Sequence, residues 1–297
     1  MNYLKMISKK FQRTGKSKLI VFCIFFAVFL VFSFLCLYPL FWCFINSLKS
    51  DLEFSVGPSA LPEELDILRY IEIFNTFKIG YVGYLEMVFN SVWQAFGWQA
   101  INIAASVFVA YPLARYNFPG KMFFYNIIIF RITIPVVGSG AVAYRFIRML
   151  GFINNPLGFS LTYFTGFDLA ALVLYGYFKN VSKEYSEAAY LDGATRIKVL
   201  FSIVLPLALP CILALFISNV MTFWNNYSTP MIYMTEYPNL AYGIYLMDTN
   251  AATLIDVKDK KALFFGCVIL SSIVPLLLFG TSQKLMLENM SVGGLKG

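Results

Sequence analysis

The residues best placed to do chemistry in this 297-residue chain lie in one segment, Glu187 to Pro210, which reads EAAYLDGATRIKVLFSIVLPLALP. The small side chains of Ala188 and Ala189 would let a helix approach another surface closely. Asp192 and Gly193 permit a sharp change of direction, because glycine accepts backbone angles that other residues resist. This combination predicts a contact helix followed by a turn, and not a reaction centre.

The same segment also carries charges and prolines. Pro206 and Pro210 enter the apolar run that follows, where a proline frees a backbone carbonyl and favours a kink. The charged residues could form ion pairs at an interface; they are Glu187, Asp192, Arg196 and Lys198. We therefore expect a short cytoplasmic helix joined to a bent membrane helix. Such a pair could transmit a movement of a cytoplasmic protein to the membrane helix.

The residue inventory excludes several kinds of enzyme. The chain contains no histidine, which removes the commonest general base and the commonest metal ligand. The five cysteines lie in apolar runs without a CxxC pair, so we predict neither a metal site nor a disulfide. We predict no catalytic residue, and the sequence has no GxxxxGK[ST] loop with which to bind ATP.

The composition indicates a protein that crosses a membrane several times. Hydrophobic residues make up 59% of the chain and charged residues only 13%, whereas soluble domains have about 25% charged residues. A membrane-spanning helix needs about 20 apolar residues. Six stretches meet this requirement: Leu19–Ile45, Met87–Leu113, Met122–Ala143, Leu157–Phe178, Val199–Trp224 and Ala262–Thr281.

Lysine and arginine residues predict the orientation of these spans. With the N-terminus inside, the cytoplasmic segments hold 14 of the 23 basic residues. The basic tail then lies against the anionic inner leaflet, so the net charge of +7 requires no nucleic-acid partner. The expected domains are a basic cytoplasmic tail at 1–18, a six-helix membrane domain at 19–283 with a cytoplasmic loop at 179–198, and a cytoplasmic tail at 284–297.

Several polar residues inside the apolar stretches are candidates for a substrate pathway. Arg131 and Asp168 each lie about ten residues into a span, and a charge inside a membrane costs about 2.5–3.5 kcal/mol on insertion scales. The two could pair with each other or line a polar cavity, or the expected span ends could be misplaced. Amide and aromatic side chains near the end of the fifth span could contact a sugar, or could form an aromatic belt at the interface; they are Asn219, Trp224, Asn225, Asn226 and Tyr227.

The segment from Glu187 resembles the EAA motif of ABC import permeases, which forms the coupling helix that docks on the ATPase subunit. The matching positions are Glu187, Ala188, Ala189, Asp192, Gly193, Ala194, Ile203, Leu205 and Pro206. Its position between the fourth and fifth of six spans also agrees. Ser182 stands where the family often has proline, but serine can still cap the start of a helix.

Three shorter stretches resemble the maltose-type carbohydrate permeases. They are the 110–121 stretch AYPLARYNFPGK, the WNNY stretch at 224–227, and the C-terminal residues Gly293, Gly294 and Lys296. In that group the tail of the second permease reaches between the two ATPase subunits. The resemblance points to the second-permease type, of the complex-oligosaccharide variety.

This resemblance implies an all-α membrane protein with six transmembrane helices, the type I ABC importer permease fold and cytoplasmic termini. The implied function is import of a sugar or oligosaccharide across the bacterial plasma membrane. The implied partners are a second permease, two ATPase subunits that bind ATP and Mg, and an extracellular solute-binding protein. The alternatives are an ABC permease for a peptide, amino acid or osmolyte, a secondary transporter without ATP, or a membrane enzyme.

Overall fold

The computed structural model describes residues 16–63, 65–134, 138–249 and 260–290, which are mainly helical. These residues form two compact units. The first contains the described residues up to Tyr70, together with the start of the last helix as far as Ile269. The second contains the described residues from Ile71 to 249 and the remainder of the last helix.

The first unit is built around one long apolar helix, α1 (Lys16–Ser47). Its apolar side chains are exposed along most of their length, as expected for an element surrounded by lipid or by other membrane helices. Near its end, Trp42 packs edge-on against Phe265, with the ring centroids 5.1 Å apart. The short helix α2 (Asp51–Val56) follows and begins with a capping box formed by Ser50 and Glu53.

The second unit begins with small elements and then continues into a long helix. Helix α3 (Arg69–Thr76) starts in the first unit and leads to two short antiparallel strands, β1 (Lys78–Ile79) and β2 (Val82–Gly83). The long helix consists of α4 (Tyr84–Val92), a π-helical turn (Trp93–Gly97) and α5 (Trp98–Arg115).

In the described part of the second unit, six short helices follow α5 before the next long helix begins. They are α6 (Lys121–Thr133), α7 (Gly140–Met149), α8 (Pro156–Ser160), α9 (Leu169–Asn180), α10 (Glu184–Leu191) and α11 (Arg196–Val199). A 3₁₀ turn at Leu161–Tyr163 follows α8. A second π-helical turn, Leu200–Val204, leads from α11 into α12 (Leu205–Trp224). The chain then forms α13 (Ser228–Tyr233), α14 (Leu240–Asp248) and α15 (Lys260–Met290).

Four helical stretches among the described residues are long and apolar enough to cross a membrane. They are Ile20–Ser47, Tyr84–Arg115, Arg196–Trp224 and Lys260–Gln283, which match four of the six expected spans. The continuous spans expected at 122–143 and 157–178 are wrong, because the described chain there forms the short helices α6 to α9.

The break before α9 has a clear physical cause at Gly166. This residue adopts a left-handed backbone with φ +66°, and a Cβ there would lie 2.6 Å from the carbonyl oxygen of Ala105. Only glycine fits this close approach, and the left-handed backbone prevents a continuous helix. The side chain of Asp168 then caps the new helix.

The main core of the second unit lies between α5, α9 and the region where α11 continues into α12. Its buried residues come from all three elements: Ala110 and Tyr111 from α5, Leu174 and Phe178 from α9, and Val199, Leu200, Val204 and Ala208 from the third. The segment singled out in the sequence packs against this core.

Candidate coupling segment

The predicted contact helix is α10, and it ends in the turn expected from Asp192 and Gly193. The N–H of Gly193 donates to the carbonyl of Tyr190 at 3.1 Å, and the N–H of Ala194 donates to the carbonyl of Ala189 at 2.9 Å. Gly193 has φ +79°. These bonds form a Schellman motif, which satisfies carbonyls at the end of a helix and reverses the chain sharply.

Side-chain oxygens cap the helices on both sides of this turn. The Ser182 hydroxyl accepts from the N–H of Glu184 at 3.3 Å, although the residue immediately before α10 is Lys183. The Thr195 hydroxyl accepts from the N–H of Lys198 at 3.3 Å and caps α11. The segment therefore has a defined local structure that its own sequence specifies.

One side of the segment is anchored to the core of the second unit. Ala189 and Ala194 are partly buried against the main core cluster, where their small size allows the close approach expected from the sequence. The hydroxyl of Tyr190 lies near those of Tyr116 and Tyr111 at the end of α5. The Arg196 guanidinium lies over the ring of Tyr116, 5.3 Å from its centroid.

These contacts also affect the ionisation of Tyr190. Partial burial, and after it the nearby Tyr116 hydroxyl, raises the pKa of Tyr190 above its ordinary value. Its hydroxyl is therefore protonated at any pH at which cells live, and it can donate a hydrogen bond.

The opposite side of the segment is exposed. Glu187, Ala188 and Asp192 are exposed, and neither acidic residue has an ion-pair partner in the part of the chain that the structure describes. Two apolar side chains stand beside them, Leu191 with 89% of its surface exposed and Ile197 with 71%. A surface of mixed apolar and charged side chains is suited to a protein partner.

The segment continues directly into the membrane helix α12. The π-helical turn Leu200–Val204 interrupts the regular hydrogen-bond ladder just before Pro206, which has no N–H to donate. Val199, Val204 and Ala208 are fully buried in the core shared with α5 and α9. The segment and the helix that follows it are therefore packed with α5 and α9 in one core.

Arg131 and Asp168 do not form the ion pair considered from the sequence. The Arg131 guanidinium donates to the Thr165 hydroxyl at 3.1 Å and to the carbonyl of Phe167 at 3.0 Å. The Asp168 carboxylate instead accepts from Asn102 at 2.7 Å, from Ser106 at 2.9 Å and from the backbone N–H of Ala171 at 3.0 Å.

The broken helix accounts for this difference in partners. It leaves backbone carbonyls for Arg131 to satisfy and a helix start for Asp168 to cap, so each charge binds the groups nearest to it. Both charges also lie at the ends of short helices, and not at the middle of long spans.

The structure separates the five candidates at the end of α12. Trp224 is buried and donates from Nε1 to the carbonyl of Ser271 at 3.2 Å. Asn226 accepts from the N–H of Thr229 and stabilises the turn after the helix. Asn219 is partly buried and Asn225 is exposed. Tyr227 stacks on Tyr245, with ring centroids 4.3 Å apart.

Sequence reasoning missed a row of buried polar side chains in α4 and the π-helical turn after it. Asn90 donates to the carbonyl of Pro238 at 3.0 Å, and Gln94 donates to the carbonyl of Tyr237 at 2.8 Å. The Ser91 hydroxyl accepts from the N–H of Leu240 at 2.8 Å. These bonds attach α4 and the π-helical turn after it to the residues that join α13 to α14. The only sequence signal was three polar residues at helical spacing in an apolar stretch.

The last two expectations concern the C-terminal tail and metal binding. The tail residues Gly293, Gly294 and Lys296 lie outside the described residues. Among the residues that are described, no three cysteine, aspartate or glutamate side chains come together in a way that could hold a metal ion.

The comparison with protein families now identifies the class of this protein. Residues 102–287, which include the whole coupling segment, match the family described as the binding-protein-dependent transport system inner membrane component. The chain belongs to this family. It is an ABC importer permease, a multi-pass protein of the bacterial plasma membrane and a transport subunit, not an enzyme.

Similar proteins extend the match over most of the chain. An inner membrane ABC transporter permease of Escherichia coli is 27% identical, covering 91% of this chain and 94% of that protein. The diacetylchitobiose uptake permease of Streptomyces coelicolor is 26% identical, covering 85% of this chain and 81% of that protein. The trehalose/maltose transport permease of Thermococcus litoralis is 23% identical, covering 89% of this chain and 92% of that protein.

A solved structure confirms the fold. One chain of a bacterial ABC transporter involved in alginate import superimposes with a TM-score of 0.72 at 21% identity, covering 91% of this chain and 98% of that one. The fold is therefore that of an ABC importer permease. The number of membrane passes and the position of the termini remain predictions.

Proposed function

We propose that this chain imports a sugar or oligosaccharide as one of two permease subunits of a complete ABC importer. The relatives described above include uptake permeases for diacetylchitobiose and for trehalose/maltose, and another, from Bacillus subtilis, transports arabinooligosaccharides. The similarity covers most of each chain, so the resemblance is not restricted to the coupling segment.

The observation that carries the mechanism is the two-sided structure of the coupling segment. Its inner side is anchored through Ala189, Ala194 and Tyr190, while its outer side carries Glu187 and Leu191 without a partner among the described residues. A partner ATPase would bind ATP and Mg and dock on the exposed side of the coupling segment. Its movement would displace α10 as a rigid body. The core shared with α5 and α9 would convert that movement into alternating access.

We further propose six membrane passes with both termini in the cytoplasm. The distribution of basic residues supports this topology. Four passes correspond to the long helices, and α6 and α9 supply the other two in shortened form. The proposed domains are the basic tail 1–18, the permease domain 19–283 with its loop 179–198, and the tail 284–297.

The proposed assembly contains a second permease, two ATPase subunits and an extracellular solute-binding protein. A bacterial alginate transporter has been solved in complex with a periplasmic protein that holds an alginate pentasaccharide. One chain of that structure has a fold similar to this chain, with a TM-score of 0.61. This supports the binding-protein partner.

The substrate class can be tested by purifying the chain with its extracellular binding protein and screening that protein against a panel of glycans. The screen includes small osmolytes, because an uptake permease for osmoprotective compounds from Synechocystis is also 24% identical over 71% of this chain. Tight binding of a glycan supports the sugar assignment. Binding of an osmolyte alone would replace it, without affecting the assignment as an ABC permease.

A further inference from the structure

The hairpin made by residues 138–168 joins two helices that are too short to cross a membrane. Helix α6 has 13 residues and α9 has 12, which corresponds to about 20 Å and 18 Å at 1.5 Å per residue. The hydrocarbon core of a bilayer is about 30 Å thick. About 10 Å of membrane therefore remains uncovered at the outer end of both helices.

The hairpin exposes apolar side chains at this same end. Val142 has 71% of its surface exposed, Met149 has 77% and Leu157 has 83%, and Phe146 and Leu161 are exposed beside them. Val142, Phe146 and Met149 lie on one strip of α7. The opposite side of this helix packs inward through Ile147 and Tyr144. In water such an apolar surface would be costly.

Two arginines flank the apolar strip of α7. Arg145 and Arg148 lie three residues apart and are exposed, and neither has a hydrogen bond or ion pair within the described ranges. A helix with an apolar strip next to a basic strip is the pattern of an element that lies in the membrane interface. The apolar side then enters the acyl chains, and the guanidinium groups meet lipid phosphates.

We propose that the hairpin 138–168 is a re-entrant element of the outer leaflet that completes the two short passes and binds anionic phospholipid through Arg145 and Arg148. Internal bonds satisfy part of its irregular backbone, as that depth requires: the N–H of Asn154 donates to the carbonyl of Tyr233, and the N–H of Gly158 donates to the Asn155 side chain. Arg131 binds the carbonyl of Phe167, and Asp168 binds Asn102 and Ser106. The inference rests on the proposed six-pass topology, but not on the identity of the substrate.

The first experiment measures the depth of the hairpin in the assembled transporter. The five native cysteines are replaced, and a nitroxide is attached to cysteine at position 142, 149 or 157 in nanodiscs containing phosphatidylglycerol and phosphatidylcholine. Labels at all three positions should relax faster with oxygen than with a water-soluble nickel complex. A label at Lys78, which is exposed on β1, is the matched control and should respond to nickel.

Two results of this experiment would overturn the proposal. Faster relaxation by nickel at positions 142, 149 and 157 would place the hairpin in water. Protection from both reagents would mean that a protein partner, such as the second permease, covers the strip in place of lipid.

The second experiment measures lipid selectivity with spin-labelled phosphatidylglycerol. Each basic residue near an anionic membrane surface contributes about 1 kcal/mol, so Arg145→Gln or Arg148→Gln should weaken the preference for phosphatidylglycerol over phosphatidylcholine about fivefold at the affected site. Lys78→Gln should leave the preference unchanged. An unchanged preference in both arginine variants would contradict the proposed lipid site. Neither experiment uses sugar uptake, so failure of the carbohydrate assignment would not alter these results.

Discussion

Substitution of Gly193 tests whether the shape of the coupling turn matters for transport. A Cβ at this position meets nothing within 4 Å, so a larger side chain has space. The backbone is nevertheless left-handed, with φ +79°. Any effect of Gly193→Val must therefore come from the backbone and not from a clash.

The size of the effect follows from the cost of the left-handed conformation. For residues other than glycine this cost is about 1–2 kcal/mol, and it is greatest for β-branched side chains. Such an energy lowers the population of the Schellman turn by a factor of about 5–30. Gly193→Asn should cost less, because asparagine tolerates this conformation. We expect uptake to fall strongly in the valine variant and only slightly in the asparagine variant.

The assay compares substrate uptake and ATP hydrolysis in proteoliposomes containing the full transporter and its loaded binding protein. Gly120→Val is the matched control, since Gly120 has φ +84°, also has open space around it, and lies in a different turn. This variant carries the same strain at a different position. It should lower thermal stability without reducing the uptake achieved per ATP.

The reasoning would be refuted by either of two outcomes. Normal uptake in the Gly193→Val variant would mean that the turn is not needed for coupling. Equal loss in the valine and asparagine variants would mean that side-chain contacts at this position, and not backbone strain, determine the activity.

Four further tests, by substitution or deletion, address other parts of the transporter. Glu187→Ala should weaken ATPase docking and reduce uptake while the binding protein retains its ligand, as measured by copurification and transport; unchanged copurification would contradict this. Asp168→Ala should lower the stability of the complex by about 1.5–3 kcal/mol, since it removes hydrogen bonds to a charged group. Asp168→Asn should cost less, because its amide oxygen still accepts hydrogen bonds. Thermal melting of the two variants distinguishes these outcomes. Because Arg131 and Asp168 have separate partners, Arg131→Met combined with Asp168→Leu should give roughly additive losses, and recovery in the double variant would indicate a direct pair. Deletion of 291–297 should impair assembly or change the rate of ATP hydrolysis if the tail contacts the ATPases, whereas normal assembly and hydrolysis would argue for a free end.

The local features of this protein could be predicted well from the sequence. The coupling helix and its turn depend on residues close together in the chain, such as Ser182, Ala189 and Gly193, and their structure is determined by capping and by backbone preference. The four long spans were equally predictable, since continuous apolar length is a property of the sequence itself.

The tertiary structure decided where the remaining polar residues bind. Met122–Ala143 and Leu157–Phe178 have the composition of spans, but the close approach of Gly166 to Ala105 and the capping by Asp168 break the second stretch. Composition cannot reveal such a break, because it depends on a neighbouring helix distant in sequence. The partners of Arg131 follow from the same break, since a charge in an apolar region binds whichever polar groups the fold leaves unsatisfied nearby.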